Sequence, residues 1–186
     1  ELPKDPSKLS GVGLKVGIVF SRFNNSITSN LLKGAENTLI ELGVNKNDIE
    51  IVDVPGALEI PYAAQLLVKS GIFDALVTIG CVIRGETSHY EIVSGQAAEG
   101  ITKLSLDNRI PITFGVLTTE NIDQAIARSG GDKGNLGSEA ALAGFYSPPS
   151  VVAGSPFASL LISILVLVLF TVFALFIGQS SLKRKE

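Results

Sequence analysis

The 186-residue chain contains no methionine, no tryptophan, one cysteine and one histidine. With Cys81 alone no intrachain disulfide can form, and His89 without a cysteine cluster removes the usual zinc-ligand spacings, so no metal site is expected. A start at Glu1 without any methionine fits a chain that has lost its initiator and, with it, a targeting segment. A surplus of positive charge is lacking too. The net charge is −3, and because the tail Lys183, Arg184, Lys185 and Glu186 contributes +2, the first 139 residues stand at −5. Nucleic acid, which needs a basic face, is excluded as a leading partner.

Charge is missing altogether from residues 140–182. Within that stretch FASLLISILVLVLFTVFALFIG, residues 157–178, is interrupted only by Ser159, Ser163 and Thr171. As a helix rising about 1.5 Å per residue it would reach roughly 33 Å, enough for a bilayer core. A core helix of a small domain would show a polar face, and this run has none. The preceding GFYSPPSVVAGSP, with Pro148, Pro149 and Pro156, reads as a linker. The expected organisation is an arm at 1–13, a folded domain at 14–143, a linker at 144–156, a transmembrane helix at 157–178 and a basic tail at 179–186. The positive-inside rule would hold the tail on the cytoplasmic or stromal side and send the domain across. A tail anchor inserted after synthesis does the reverse, and it is the favoured orientation. The expectation is a membrane-anchored protein, on a plastid or other organelle membrane, with its domain on the cytoplasmic or stromal side.

In the folded part short apolar runs alternate with helical periodicity. Residues 15–20 (KVGIVF), 49–54 (IEIVDV), 75–80 (ALVTIG) and 112–117 (ITFGVL) are rich in Val and Ile and read as strands, three of them buried on both faces. Ile27, Leu31, Ala35, Leu39 and Leu42 form one helical stripe that stops at Gly43. Pro61 suits an early helical position and Gly71 a stop. Ser88-His-Tyr-Glu91 has the form of a capping box opening a helix to about residue 106, and Thr119 is placed to cap another ending near Gly130. Strand and helix in strict alternation predict a four-stranded parallel sheet covered on both faces, a three-layer α/β/α domain.

Ligands of open α/β sheets bind beyond the carboxyl ends of the strands. The unusual residues fall there: SRFNN (21–25), PGALE (55–59), CVIRGETSH (81–89), and Thr118 and Thr119. Gly85 permits an open backbone, and amides of residues 85–88 meeting a helix start can hold a phosphate. His89 would sit in the first turn, where the positive dipole end favours a neutral imidazole able to accept a proton. Plainer readings stand beside these. A lone histidine at a helix start is more often a surface residue, Gly85 a turn, Phe23 and Phe114 core aromatics, Glu59 a first-turn acid and Arg128 a last-turn cation. Local spacing does not decide between them.

SRFN, VPGALEIP, GCVIRGETSHYE, PITFGVLTTENIDQAIARSG and GNLGSEAALA, in this order, closely resemble the 6,7-dimethyl-8-ribityllumazine synthase family over about residues 9–143. The VIRGETSHY block is the most specific. The resemblance implies a flavodoxin-like sandwich and an active site between neighbouring subunits of a pentamer, sometimes of twelve pentamers. It implies that Phe23 stacks on the pyrimidine of 5-amino-6-(D-ribitylamino)uracil, while Ala57, Leu58, Glu59, Cys81, Val82 and Ile83 bind the ribityl chain and ring edges. Glu86 and Thr87 would hold the phosphate of 3,4-dihydroxy-2-butanone 4-phosphate. Arg128 and Phe114 would come from the neighbour, and His89 would shuttle protons, with no metal or organic cofactor.

Two departures follow. The family usually has a lysine where this chain has Leu136, with Lys133 three residues earlier, and its last helix normally continues past EAALA, whereas Gly144-Phe-Tyr-Ser-Pro-Pro149 ends it after about two turns. They motivate an alternative to the enzyme: a noncatalytic subunit of a membrane complex, photosynthetic or respiratory. A third reading makes the tail a joining artefact.

Overall fold

A computed structural model describes residues 9–145. Four strands, β1 (Val16–Ser21), β2 (Ile49–Val54), β3 (Ala75–Ile83) and β4 (Ile112–Thr119), form one parallel sheet in the order β2-β1-β3-β4. The expected α/β/α architecture with its flavodoxin-like strand order is what the chain adopts. Strand β3 is the centre. All but the last of its residues are buried, because β1 and β4 flank it and helices cover both faces. Edge strand β2 is mostly solvent-facing, which is why its IEIVDV alternates with charge.

The crossovers between parallel strands distribute the helices over both faces of the sheet. Helix α1 (Asn25–Glu41) packs with α5 (Leu136–Gly144) on one face, and α2 (Ile60–Ser70) with α3 (His89–Asn108) on the other. Alternate side chains of the strands feed two cores. Val16, Ile18, Val77 and Ile79 meet Leu31, Leu39 and Ala141 on the α1 side, whereas Val19, Leu76 and Val116 meet Ile60, Ala64 and Ile101 on the other. The short helix α4 (Ile122–Ala127) follows β4, and a two-stranded antiparallel hairpin, β5 (Ser129–Gly131) and β6 (Gly134–Asn135), joins it to α5.

Several boundaries differ from the sequence reading. Ser88 precedes α3, but no side-chain cap forms there, because Glu91 is drawn to Arg84 instead. Thr119 does not cap α4 either. Strand β4 runs two residues further than the apolar run, so Thr119 is its buried last residue and Asn121 takes the cap, accepting from the Gln124 amide at 3.0 Å. The end of the N-terminal arm is docked, since the Gly11 amide donates to the Leu42 carbonyl at 2.7 Å. Gly144 is still helical and Phe145 is buried against the α1 core, so the linker does not begin at 144.

The membrane-anchored placement is corrected as well. Among the described residues no helix is long and apolar enough to cross a membrane. The stretch 157–178 on which that expectation rested, like the linker residues before it and the tail after it, lies outside the described residues, and the assignment to an organelle membrane is withdrawn.

The contact between α1 and α5 is made backbone to backbone: a Cβ on Gly137 would lie 2.0 Å from the Leu31 carbonyl oxygen. Gly137→Ala is therefore expected to lower unfolding stability by about 2–3 kcal/mol in urea titrations. Gly95→Ala, in α3 with open space around its Cβ, is expected to raise it by about 0.5–1 kcal/mol.

Candidate active site

Three carboxyl ends of the sheet open onto one cavity of about 470 Å³, at the point where the strand order reverses between β1 and β3. Phe23 reaches it from the turn after β1. Gly56, Ala57, Leu58 and Glu59 come from the single helical turn after β2. Cys81, Val82 and Ile83 are the end of β3, and Gly85, Thr87, His89, Tyr90 and Val93 belong to the following loop and the start of α3. Nine of the twelve residues implied by the resemblance thus line a single wall.

Each is placed by a local cause. Asn24 adopts the left-handed region (φ 58°), which asparagine tolerates better than most residues. Its side-chain amide donates to the Cys81 carbonyl at 3.0 Å, tying the end of β1 to β3. The Phe23 amide donates to the Pro55 carbonyl at 3.1 Å. Between these two bonds the ring of Phe23 is presented outward, 69% exposed, in place of the core position its type suggests. Glu59 turns back on its own loop and accepts from the Gly56 amide at 2.9 Å, so the plain first-turn reading and a place in the cavity wall hold together. Asn24 lies within the SRFNN segment, but no role was read for it; its signal is an asparagine directly before α1.

The loop 84–88 is exposed throughout. Gly85 is not in the left-handed region, and a Cβ there would meet nothing within 4 Å. His89 is the first residue of α3 and exposed, its amide 3.4 Å from the Thr87 hydroxyl. Arg84, also missed, is the loop's base: its guanidinium pairs with Glu91 and, at 2.6 Å, with Glu120, and lies 4.1 Å from the centroid of the Tyr90 ring. Those contacts raise the affinity of Arg84 for its proton and hold Glu91 below the usual carboxylate range, chiefly through their mutual hydrogen bond.

Glu86, Phe114 and Arg128 do not line the cavity. Glu86 sits in the same loop between two residues that do. Phe114 pairs with Thr78, three residues before Cys81, and so lies roughly 10 Å down the sheet from the cavity floor. It is 39% exposed on an edge strand, not core. Arg128 follows α4 and faces solvent beside the β5–β6 hairpin. Leu136 packs against the α1 core, while Lys133 is exposed at the hairpin. Among the described residues no group of three or more His, Cys, Asp or Glu side chains could hold a metal ion.

The family model of 6,7-dimethyl-8-ribityllumazine synthase matches residues 13–145. The chain belongs to that family. Its place is therefore in riboflavin biosynthesis, with a family whose members are transferases, and the matched span coincides with the described domain.

Burial pushes the Cys81 thiol of this lumazine synthase-family domain up to about 11, from 9.0. The folded chain holds that proton more tightly than the unfolded one. Stability is therefore complete below pH 9 and falls as pH rises towards 11, and Cys81→Ala is expected to remove that part of an alkaline unfolding curve. At pH 8 alkylation of native Cys81 should be about a hundredfold slower than in urea, followed by mass.

Proposed function

We propose that the chain condenses 5-amino-6-(D-ribitylamino)uracil with 3,4-dihydroxy-2-butanone 4-phosphate to 6,7-dimethyl-8-ribityllumazine. The observation that carries this reading is the convergence of Phe23, Glu59, Thr87 and His89 on one cavity at the strand-order reversal. A flat exposed aromatic at one end offers a stacking face for a pyrimidine. At the other end lies a helix start with free loop amides, the standard cradle for a phosphate.

The chemistry asks for positioning and proton movement. The amine attacks the ketone carbon and water leaves to form an imine; a proton is lost, phosphate departs, and ring closure expels a second water. Holding both substrates in one cavity converts the first bond formation into an effectively intramolecular step. In this reading His89, beside the phosphate end, takes and returns protons. Glu59, with one carboxylate oxygen bound to the Gly56 amide, keeps the other available for a ring or ribityl hydrogen.

The cavity wall contains no lysine or arginine. A phosphate dianion there finds no cation in the wall among the described residues, and Phe114 is too far down its strand to close over the ring of its own cavity. Both facts support a site shared between copies, with Arg128 and Phe114 of a neighbour completing it. Leu136, packed in the core where the family usually has lysine, favours a second reading: a noncatalytic member that retains the fold.

Purified full-length chain given both substrates should produce the lumazine chromophore, and His89→Ala should slow turnover by about 100-fold. A well-folded oligomer that makes no product would sink the enzyme reading. If the site is shared, mixing His89→Ala with Arg128→Ala subunits should restore part of the activity that each lacks alone, because one mixed interface then carries both intact residues. Activity that never recovers after co-refolding counts against a shared site.

A further inference from the structure

We propose that Arg84 is a positioning residue: by bridging Glu120 and Glu91 and covering Tyr90 it fixes the phosphate-binding loop 85–88 at the start of α3, and it is not itself an anion ligand. The inference rests on the reading of that loop as the phosphate site.

Arg84 is the first residue beyond the end of β3, and its amide extends the β3–β4 ladder by donating to the Thr119 carbonyl at 2.8 Å. Its backbone is thus fixed to the sheet while the chain leaves the sheet at Gly85. The register that pairs Ile83 with Thr119 puts Arg84 opposite Glu120, and the guanidinium Nε reaches that carboxylate at 2.6 Å. The same guanidinium bonds Glu91 in the first turn of α3 and lies against the Tyr90 ring, 4.1 Å from its centroid. One planar side chain therefore joins the ends of β3 and β4 to the first turn of α3, on either side of the four residues between them.

The position matters because α3 starts without a side-chain cap. A capping hydroxyl would accept from the first-turn amides of α3 and tie the loop to them; none does, and within the loop only a long contact from the His89 amide to Thr87 sets its direction. A cation beside a helix N-terminus is unfavourable on its own. Two carboxylates remove that penalty, so Arg84 supplies geometry while presenting little net charge to an incoming anion. A lysine, with a point charge and no planar face, cannot make the fork and the ring contact together.

The sign of one substitution separates positioning from anion binding. Glu120→Gln, isosteric and on an exposed residue, would free Arg84 and tighten phosphate binding if the guanidinium were an anion ligand. If it positions the loop, the same change weakens binding. We expect Glu120→Gln in the full-length chain to weaken inorganic phosphate by about two- to fivefold in calorimetry. Arg84→Met and Arg84→Lys should each weaken it by about fivefold or more, and amide hydrogen exchange over residues 85–91 should quicken in all three variants. In turnover the KM for the four-carbon phosphate should rise while that for the pyrimidine amine stays within about twofold. Tighter phosphate binding by Glu120→Gln, or unchanged exchange and phosphate affinity in both Arg84 variants, overturns the proposal. A wild-type chain that makes no product but shows the exchange and phosphate pattern leaves the positioning role standing and removes the enzyme reading. Product formation with variants indistinguishable from wild type does the opposite.

Discussion

Everything the domain presents to a ligand depends on the burial of β3. Its Ala75-Leu-Val-Thr-Ile-Gly-Cys-Val run is enclosed by two strands and by helices on both faces, and its only central polar side chain, Thr78, donates to the Thr113 carbonyl at 2.6 Å. A strand so enclosed has one register and no freedom to slide, because a shift of one residue would exchange the two cores. Gly80 marks how tight the fit is: a Cβ there would meet Val116, Ile60 and Ser21 at 3.1–3.3 Å. The carboxyl end of β3 is consequently a fixed edge from which the loops after it are measured.

Fixed strand ends and loose loops divide the work of the site. Cys81, Val82 and Ile83 are floor and cannot move, while Phe23 and residues 85–88 stand in solvent and need separate restraints. Asn24 provides one by its bond to Cys81, and the Arg84 network provides the other. Both act from the sheet outward. They let small exposed segments hold direction without being buried, which leaves their faces open to a ligand.

The strands and long helices were legible because they follow apolar periodicity, and the carboxyl-edge rule located the loops that form the cavity. What was misjudged was decided by partners distant in sequence. Ser88-x-x-Glu91 has the letters of a capping box, yet Glu91 finds in Arg84 a cation that no three-residue window contains. Thr119 follows an apolar run and precedes a helix, but pairing with Ile83 keeps it in the sheet. Phe114 sits in an apolar strand and reads as core; only the strand order, which makes β4 an edge, leaves it exposed. The short β5–β6 hairpin had no periodicity to announce it. The candidate site residues came with the family resemblance, since one histidine and one glycine carry too little pattern of their own.

The described wall of the cavity carries little net positive charge with which to hold an anion. Loop amides and a helix start provide partial positive charge, but Glu59 stands in the same wall and Arg84 is neutralised by two acids. Among the described residues Arg128 and Lys133 are exposed cations on the segment that joins α4 to α5, which packs against α1 and where the Lys133 and Leu136 amides bond back to the Ala127 and Arg128 carbonyls at 2.9 Å. Leu136, partly buried against the α1 core, adds apolar burial to that edge and no charge. On charge alone, an anion would therefore bind weakly at this wall in an isolated domain.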